Sequence, residues 1–259
     1  MSGPLLEVRG LHHWFGGLHV IDDVSFSCRA GIVKAIIGPN GAGKTTLFNL
    51  IAGSIAPAAG SIRLDGRQTA GLPPHRMAGL GICRTFQTTR LFPRMSVLEN
   101  VMVGRHLRTR GGFLAGMIGP AATGRQDAAA RRECRAILEE LGAGALADQE
   151  ATRLPFGRQR VVEIARALAA GPRLLLLDEP ACGLNPSETE TLGGLIGGIR
   201  QRGITVLIVE HDMSLVMGVS DEVLAISAGR RIAEGTPREV QVDPEVVAVY
   251  LGDPDAASP

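Results

Sequence analysis

Residues 33–45 read Val33-Lys34-Ala35-Ile36-Ile37 and then Gly38-Pro39-Asn40-Gly41-Ala42-Gly43-Lys44-Thr45. An apolar run of strand length that breaks into a glycine-rich turn, followed by an apolar helix face at Leu47, Phe48, Leu50 and Ile51, is the context of a phosphate-binding loop. Glycines let the backbone curl until successive N–H groups face the phosphates, and the helix that follows adds the positive end of its dipole. Lys44 reaches the β- and γ-phosphates, Thr45 offers a hydroxyl to Mg²⁺, and Thr46 completes the triphosphate-binding set.

The rest of the composition narrows the partners. The 259 residues suffice for one large α/β core with an inserted subdomain or for two small domains, between which composition does not choose, and the net charge of +1 with mixed signs provides no field for nucleic acid. Aromatic residues are only 3% of the chain, too few to suggest base stacking. Cys28, Cys83, Cys134 and Cys182 lack Cys-x-x-Cys spacing and are expected as buried, reduced filler. No apolar run approaches the length of a membrane span, and Glu7, Arg9, His12 and His13 interrupt any secretory signal. The expectation is a soluble chain, or one held peripherally by a partner.

Short apolar segments at Leu5 to Val8, Val24 to Cys28, Val33 to Ile37, Ser61 to Leu64 and Gly81 to Phe86 predict strands, with turns at Gly16-Gly17 and Asp65-Gly66. From Ser96 the texture becomes helical: Ser96-Val97-Leu98-Glu99 is a capping box, and Cys134, Ile137, Leu138 and Leu141 make one stripe. The stretch from Arg90 to Thr152 therefore predicts a helical insertion, with Arg110 to Gly124 as a loose loop inside it. Val161, Ile164, Ala165 and Leu168 then form a helix face that stops at Gly171-Pro172. Leu174 to Leu177 and Ile204 to Val209 are continuously apolar, as strands covered on both faces are. Alternating strands and helices imply a mostly parallel sheet, whose ligands lie beyond the carboxyl ends of its strands.

Two acids stand at such an end, in Asp178-Glu179-Pro180. Because strand side chains alternate, Asp178 suits Mg²⁺ through water and Glu179 suits the attacking water as general base, the alternative being a simple helix cap. The later strand ends in Val209-Glu210-His211-Asp212, where His211 is either a donor to the γ-phosphate or a satisfied structural histidine. Gln87, after the Gly81 to Phe86 segment, is placed to touch Mg²⁺ or the water.

Taken in order, the phosphate loop, Thr85-Phe86-Gln87, Leu154-Pro155-Phe156-Gly157-Arg158-Gln159, Leu174 to Glu179, Gly183-Leu184-Asn185-Pro186 and His211 resemble the ATP-binding-cassette family, whose ATPases power membrane transporters. The resemblance covers nearly the whole chain. It implies an α/β phosphate-loop NTPase with an antiparallel β subdomain at the N-terminus, a nucleotide-binding core at 1–89 and 157–259, and an inserted helical subdomain at 90–156 that ends in the signature motif. It implies ATP and Mg²⁺ as ligands. Phe15 resembles the aromatic that stacks on adenine, with Trp14 as a second candidate and core packing as the alternative for both. Gln87 resembles the residue that links Mg²⁺ and water to the transmembrane partner, and His211 the γ-phosphate sensor.

Leu154, Pro155, Phe156, Gly157 and Arg158 fall where the family carries Leu-Ser-Gly-Gly-Gln, at the start of a helix expected from Gln159 to Ala169. In the family that helix end binds the γ-phosphate held by the opposite subunit. Pro155 departs from the pattern, because it has neither hydroxyl nor N–H to offer. The resemblance thus implies a second ATPase subunit, a heterodimer being favoured and a homodimer possible, in which this chain's signature site is altered. Asn185 stands where the family usually has Asp.

Within the family, Thr85 to Phe92, the long insertion, Val209-Glu210-His211-Asp212-Met213 and the ending Val249-Tyr250-Leu251-Gly252 look like the importers of branched-chain or other hydrophobic amino acids. Urea and amide importers and lipopolysaccharide exporters share the texture, and a soluble cassette ATPase acting on ribosomes or DNA is a more distant alternative. The implied partners are transmembrane permease subunits, contacted through Thr88 to Met95 and the helical insertion, with Arg90, Arg94, Arg105 and Arg108 either touching the permease or lying on an ordinary solvated face, and indirectly a substrate-binding protein, with no nucleic acid. The implied location is the cytoplasmic face of the inner membrane.

Overall fold

The computed structural model describes residues 3–85, 91–105 and 120–251. The chain opens with a hairpin of β1 (Leu6–Phe15) and β2 (Leu18–Cys28), which turns at Gly16-Gly17 with Phe15 paired to Leu18. β3 (Val33–Ile37) leads into α1 (Lys44–Ile51), and β4 (Ala59–Leu64) pairs with the two-residue β5 (Arg67–Gln68) around Asp65-Gly66. Both turn residues have positive φ, 51° and 74°, which the short polar Asp and Gly accept. These strands form an antiparallel sheet in the order β2-β1-β4-β5.

α2 (Pro74–Gly79) precedes β6 (Ile82–Arg84), which is shorter than its apolar segment. α3 (Val97–Gly104), α4 (Pro120–Glu140) and α5 (Phe156–Ala169) follow. Then β7 (Leu174–Asp178), α6 (Pro186–Gln201), β8 (Thr205–Val209), α7 (Met213–Val219) and β9 (Glu222–Ser227) alternate. β10 (Arg230–Gly235), α8 (Pro237–Gln241) and α9 (Pro244–Leu251) close the chain. The second sheet runs β10-β9-β3-β8-β7-β6, parallel throughout except for the β9–β10 pair.

Every residue of β3, β7 and β8 is buried, and their side chains alternate between two cores as the pleat requires. Leu174, Leu176, Leu207 and Val209 pack toward α1 and the antiparallel sheet. Leu175, Leu177, Val206 and Ile208 pack on the other side with residues of α5, α6 and α7, and that core runs on into Val97, Val101, Cys134 and Leu138 of the helical insertion. Each burial of a side chain of this size contributes about 1.5–3 kcal/mol, so the central strands hold a rigid edge from which the loops project.

Three expectations shift. Residues 120–124 belong to α4 rather than to a loop, since Pro120 at the first helical residue needs no N–H partner and the alanines that follow are strong helix formers. Residues 110–119 lie outside the described residues. α5 begins at Phe156, three residues earlier than the apolar face suggests, with Pro155 as its N-cap and the Gln159 N–H donating to the Pro155 carbonyl at 3.0 Å. Among the cysteines, Cys28, Cys83 and Cys134 are buried as expected and Cys182 is exposed, because it follows the strand end instead of sitting in it. Burial pushes the Cys28 thiol up to about 12 and the Cys83 thiol up to about 11, so neither is a thiolate at neutral pH.

Candidate active site

β3, β7 and β8 end side by side, Ile36 pairing with Val209 and Asp178 with Val209, so the phosphate loop, the two acids and the later histidine leave the same edge of the sheet. Loop geometry depends on glycine at two points. A Cβ on Gly38 would lie 2.1 Å from the Ile226 carbonyl oxygen, and one on Gly43, the left-handed N-cap of α1, would lie 2.8 Å from the Val20 carbonyl oxygen. The loop is thereby pressed against β9 and the hairpin, and a groove of about 370 Å³ opens over it.

Phe15, Asn40, Gly41, Ala42, Gly43, Lys44, Thr45, Thr46 and Glu179 all line that groove, together with Leu18 and Val20. Gly38 and Pro39 do not line it but are tied to it through Lys44, whose Nζ donates to their carbonyls at 2.7 and 2.9 Å. Burial pulls the Lys44 ammonium below its ordinary pKa, while Glu179 and Asp178 act in the opposite sense. Phe15 and Trp14 are both exposed, which removes core packing for either. Only Phe15 faces the groove; Trp14, one residue earlier on a pleated strand, stacks with His12 and His19 on the opposite face of the hairpin.

Asp178 is fully buried at the last position of β7. Its Oδ2 accepts from Arg84 Nη2 at 2.6 Å, and Arg84 Nη1 donates to Asn49 Oδ1 at 2.6 Å. Its Oδ1 is buried without a hydrogen-bond partner, a cost that a protein rarely carries unless a cation or water completes the site. Glu179, half-buried, adopts φ +45°, a left-handed conformation that a glutamate holds only at some cost in energy. The strand ladder reaches its N–H, which donates to the Val209 carbonyl at 2.9 Å, and the turn beyond it aims the carboxylate into the groove. His211 is exposed on the neighbouring loop. Gln87 lies outside the described residues.

The residue that motif reading misses is Glu210. It is fully buried, and its carboxylate accepts from the Ala181 N–H at 2.7 Å, the His211 N–H at 3.1 Å and the Asp212 N–H at 3.4 Å. One side chain therefore ties the loop after Glu179 to the loop that carries His211. Burial raises its pKa against the opposing pull of those three bonds. A carboxylate closing a continuously apolar strand was its available signal.

Leu154, Pro155, Phe156, Gly157 and Arg158 line no part of the phosphate-loop groove. Leu154 is buried, Phe156 is exposed and stacks under Arg160 at 5.6 Å, and α5 starts with no side-chain cap. Gly157 and Arg158 border a separate groove with Leu184, Ser187 and Glu188. Asn185 caps α6 in a capping box with Glu188, the Glu188 N–H donating to Asn185 Oδ1 at 3.0 Å.

A mostly parallel sheet with a phosphate loop after β3 and two carboxylates at the end of β7, one strand away across β8, defines a phosphate-loop NTPase. A family model described as "ABC transporter" matches residues 21–182, and one described as "Branched-chain amino acid ATP-binding cassette transporter" matches residues 230–256. The chain is 44% identical to the high-affinity branched-chain amino acid transport ATP-binding protein BraF of Pseudomonas aeruginosa, over 98% of this chain and 100% of that protein. It is 41% identical to LivG of Escherichia coli, a protein of the same description, with the same coverage. Its fold superposes with a TM-score of 0.82 on the crystal structure of the ADP conformation of MJ1267, an ATP-binding cassette of an ABC transporter, at 29% identity, covering 97% of this chain and 100% of that one. The chain belongs to the ABC transporter family, as one of its ATP-hydrolysing cassettes.

Proposed function

We propose that this chain is an ATPase subunit of an importer for branched-chain amino acids, and that it holds one half of each of two composite ATP sites. The support for cargo is the likeness to BraF and LivG along the full chain together with the match of residues 230–256. The support for the half-site reading is geometric: the groove gathers Phe15, the phosphate loop and Glu179, whereas Leu154 to Arg158 lie elsewhere.

In this reading the adenine stacks on Phe15, and the N–H groups of Gly41 to Thr46 together with Lys44 hold the phosphates. Lys44 leaves the Gly38 and Pro39 carbonyls for the phosphate oxygens. Glu179 takes the proton from the water that attacks the γ-phosphorus, ADP departs, and His211 donates to a γ-phosphate oxygen. Mg²⁺, where bound, neutralises charge on the β- and γ-phosphates. Thr45 and the partnerless Oδ1 of Asp178 suit it as direct or water-mediated ligands, with Gln87 as the third candidate.

An apolar groove of about 690 Å³, lined by Pro74, Ile82, Leu91, Phe92, Val103 and Ala167, is our choice for the permease contact. Arg94, exposed and at φ +62°, stands beside it on the loop before α3. Arg105 is paired with Glu133 and therefore serves the insertion itself, while Arg90 and Arg108 lie outside the described residues. Among the described residues no helix is long and apolar enough to cross a membrane, so attachment at the cytoplasmic face of the inner membrane would run through the permease. Pro155 favours a second, different ATPase subunit, and the substrate-binding protein would act from the far side.

The experiment is affinity purification from detergent-solubilised membranes followed by identification of partners and cargo-stimulated ATPase assay. A multi-span permease, a second cassette subunit and stimulation by leucine-loaded binding protein are expected. Recovery with ribosomes or DNA alone, or with a permease whose loaded binding protein responds only to another cargo, refutes it.

A further inference from the structure

The hairpin of β1 and β2 carries different chemistry on its two faces near the Gly16-Gly17 turn. Toward the phosphate loop, His13 stands edge-on to Phe15, with centroids 4.7 Å apart and planes at 78°. On the other face His12, His19 and Trp14 form one stack. Trp14 lies on His19 at 4.2 Å and 12°, and His12 lies 5.4 Å from His19 at 19°. The stack brings His12 Nδ1 to 3.3 Å from His19 Nε2. Asp22 Oδ1 is 3.5 Å from His12 Nδ1 and 3.7 Å from the other nitrogen of His19, Nδ1, and one ligand atom from each of the three residues lies within 4.8 Å of the other two.

Those separations have a chemical meaning. Zinc binds imidazole nitrogen and carboxylate oxygen at about 2.0–2.2 Å in a tetrahedron, whose edge is then roughly 3.3–3.6 Å. The separations from His12 Nδ1 to His19 Nε2 and to Asp22 Oδ1 match that edge, and because a ring gives an ion one nitrogen, the His19 ring turns out of the stack to bring Nε2 to the ion. We propose that His12, His19 and Asp22 bind one divalent transition-metal ion of the zinc type, with a water in the fourth position, on the outer face of the hairpin that carries Phe15. Two imidazoles select a borderline ion over Mg²⁺ or Ca²⁺, which prefer all-oxygen sets.

The carboxylate is already oriented for this. Asp22 Oδ2 accepts from Arg230 Nε at 2.6 Å, and the Asp22 N–H donates to the Gly229 carbonyl at 2.9 Å, so that Oδ1 alone turns to the imidazoles. Such outer contacts are what hold ligands in place at metal centres. The side chains of His12, His19 and Asp22 keep 27%, 31% and 20% exposure, enough for an ion to enter without unfolding the hairpin. Without metal, the Asp23 N–H meets His12 Nδ1 at 3.3 Å, a long contact that the ion replaces. Arg230 opposes the ion's charge and so weakens the site relative to one with no cation beside it. Among the described residues this is the one His, Cys, Asp and Glu trio with ligand spacing.

Trp14 is the sole tryptophan of the chain and covers the site, so it reports occupancy. The full chain, free of nucleotide, is titrated with Zn²⁺ against a chromophoric chelator while Trp14 emission is followed, and Co²⁺ absorption reads the coordination number. One ion per chain, a saturating change in emission at the same ratio and a tetrahedral or five-coordinate cobalt spectrum are expected. His12→Gln, His19→Gln and Asp22→Asn should each weaken binding at least 10-fold, whereas His75→Gln, at an exposed site on α2, should leave it unchanged. Circular dichroism establishes that each variant is folded, and the three are independent, so loss of one still leaves two. Binding that persists in the folded variants, or that falls equally in His75→Gln, overturns the site.

Discussion

Glu210→Gln tests the claim that one buried carboxylate locks the loops carrying Glu179 and His211 together. In the native protein Oε1 accepts from the Ala181 N–H at 2.7 Å, and Oε2 accepts from the His211 and Asp212 N–H groups at 3.1 and 3.4 Å. A glutamine keeps one acceptor but sets an NH₂ where Oε2 was, so two backbone donors face two side-chain donors. Hydrogen bonds to a charged group contribute about 1.5–3 kcal/mol each, and the 3.4 Å contact deserves less than that range. The loss of the pair is therefore about 2–4 kcal/mol, offset by about 1–2 kcal/mol because a charge is no longer buried. The net destabilisation is about 1–3 kcal/mol, which for a chain of this size lowers Tm by about 2–12 °C. Thermal melts of the nucleotide-free protein measure it, and ATP turnover, falling at least 10-fold as the His211 and Glu179 loops separate, accompanies it.

The sign of the pH dependence is a second check on the same residue. Glu210 has a raised pKa in the folded state, so the folded protein holds that proton more tightly than the unfolded chain. Its contribution to stability is greatest below the ordinary carboxylate range and declines as pH rises from there through the raised value. The gap in stability between native protein and Glu210→Gln should accordingly be widest in acid and narrow toward neutrality. A Tm within about 1 °C of native at every pH, with turnover intact, refutes the loop-locking role.

Three further outcomes follow, two from the groove and one from the start of α5. Glu179→Gln should bind ATP and accumulate in the ATP-bound state while phosphate release slows by ~10²–10⁴-fold, and turnover within about 3-fold of native would dismiss Glu179 as base. Phe15→Ala should weaken ATP roughly 3- to 10-fold in an equilibrium titration, since an aromatic stack is worth about 0.5–1.5 kcal/mol beyond its area, and Trp14→Ala should weaken it less than about 2-fold; the reverse order would put adenine on the wrong face of the hairpin. Pro155→Ser adds a cap worth about 0.5–2 kcal/mol to α5 but frees the unfolded chain by about 0.4–1 kcal/mol, so stability should stay within about 1.5 kcal/mol of native while ATP turnover of the assembled transporter rises, and unchanged turnover would remove Pro155 as the cause of asymmetry.

The phosphate loop, the acids after Leu177 and the Ser96 capping box are legible in sequence because each is a local pattern with a local cause. The two apolar strands are legible for the same reason, as burial on both faces leaves a continuous run. What escapes is what depends on distant chain meeting. Arg84 reaches Asp178 across 94 positions, and Glu210 reaches Ala181 across 29. Asn100, buried in α3, bonds the Phe92 N–H at 2.8 Å and the Phe92 carbonyl at 3.2 Å, shaping the loop beside the proposed permease groove. Glu210 alone carries a local mark, a carboxylate closing an apolar strand, and the partners of all three are marked by neither residue type nor spacing. Trp14 and Phe15 differ only by which side of the pleat each occupies, and a run of ten strand residues with register shifts conceals that parity.

The position of Pro155 changes how much its presence takes away. Were it inside the helix, a proline would remove a donor from the bundle of N–H groups that an anion meets. The structure makes it the N-cap, one residue before Phe156. The first N–H groups of the helix, from Phe156, Gly157 and Arg158, have no intrahelical acceptor and still point outward from its positive end. The substitution therefore removes the hydroxyl and the N–H of one residue and leaves the helix dipole whole. Gly157 adds a constraint of its own, since a Cβ there would approach Glu188 Oε1 to 2.5 Å and disturb the box that caps α6. On the proposed reading, a signature site built on this chain would keep its electrostatic half and lose its side-chain half, and would bind ATP more readily than it turns ATP over, while Lys44 and Glu179 would serve the competent site of the pair.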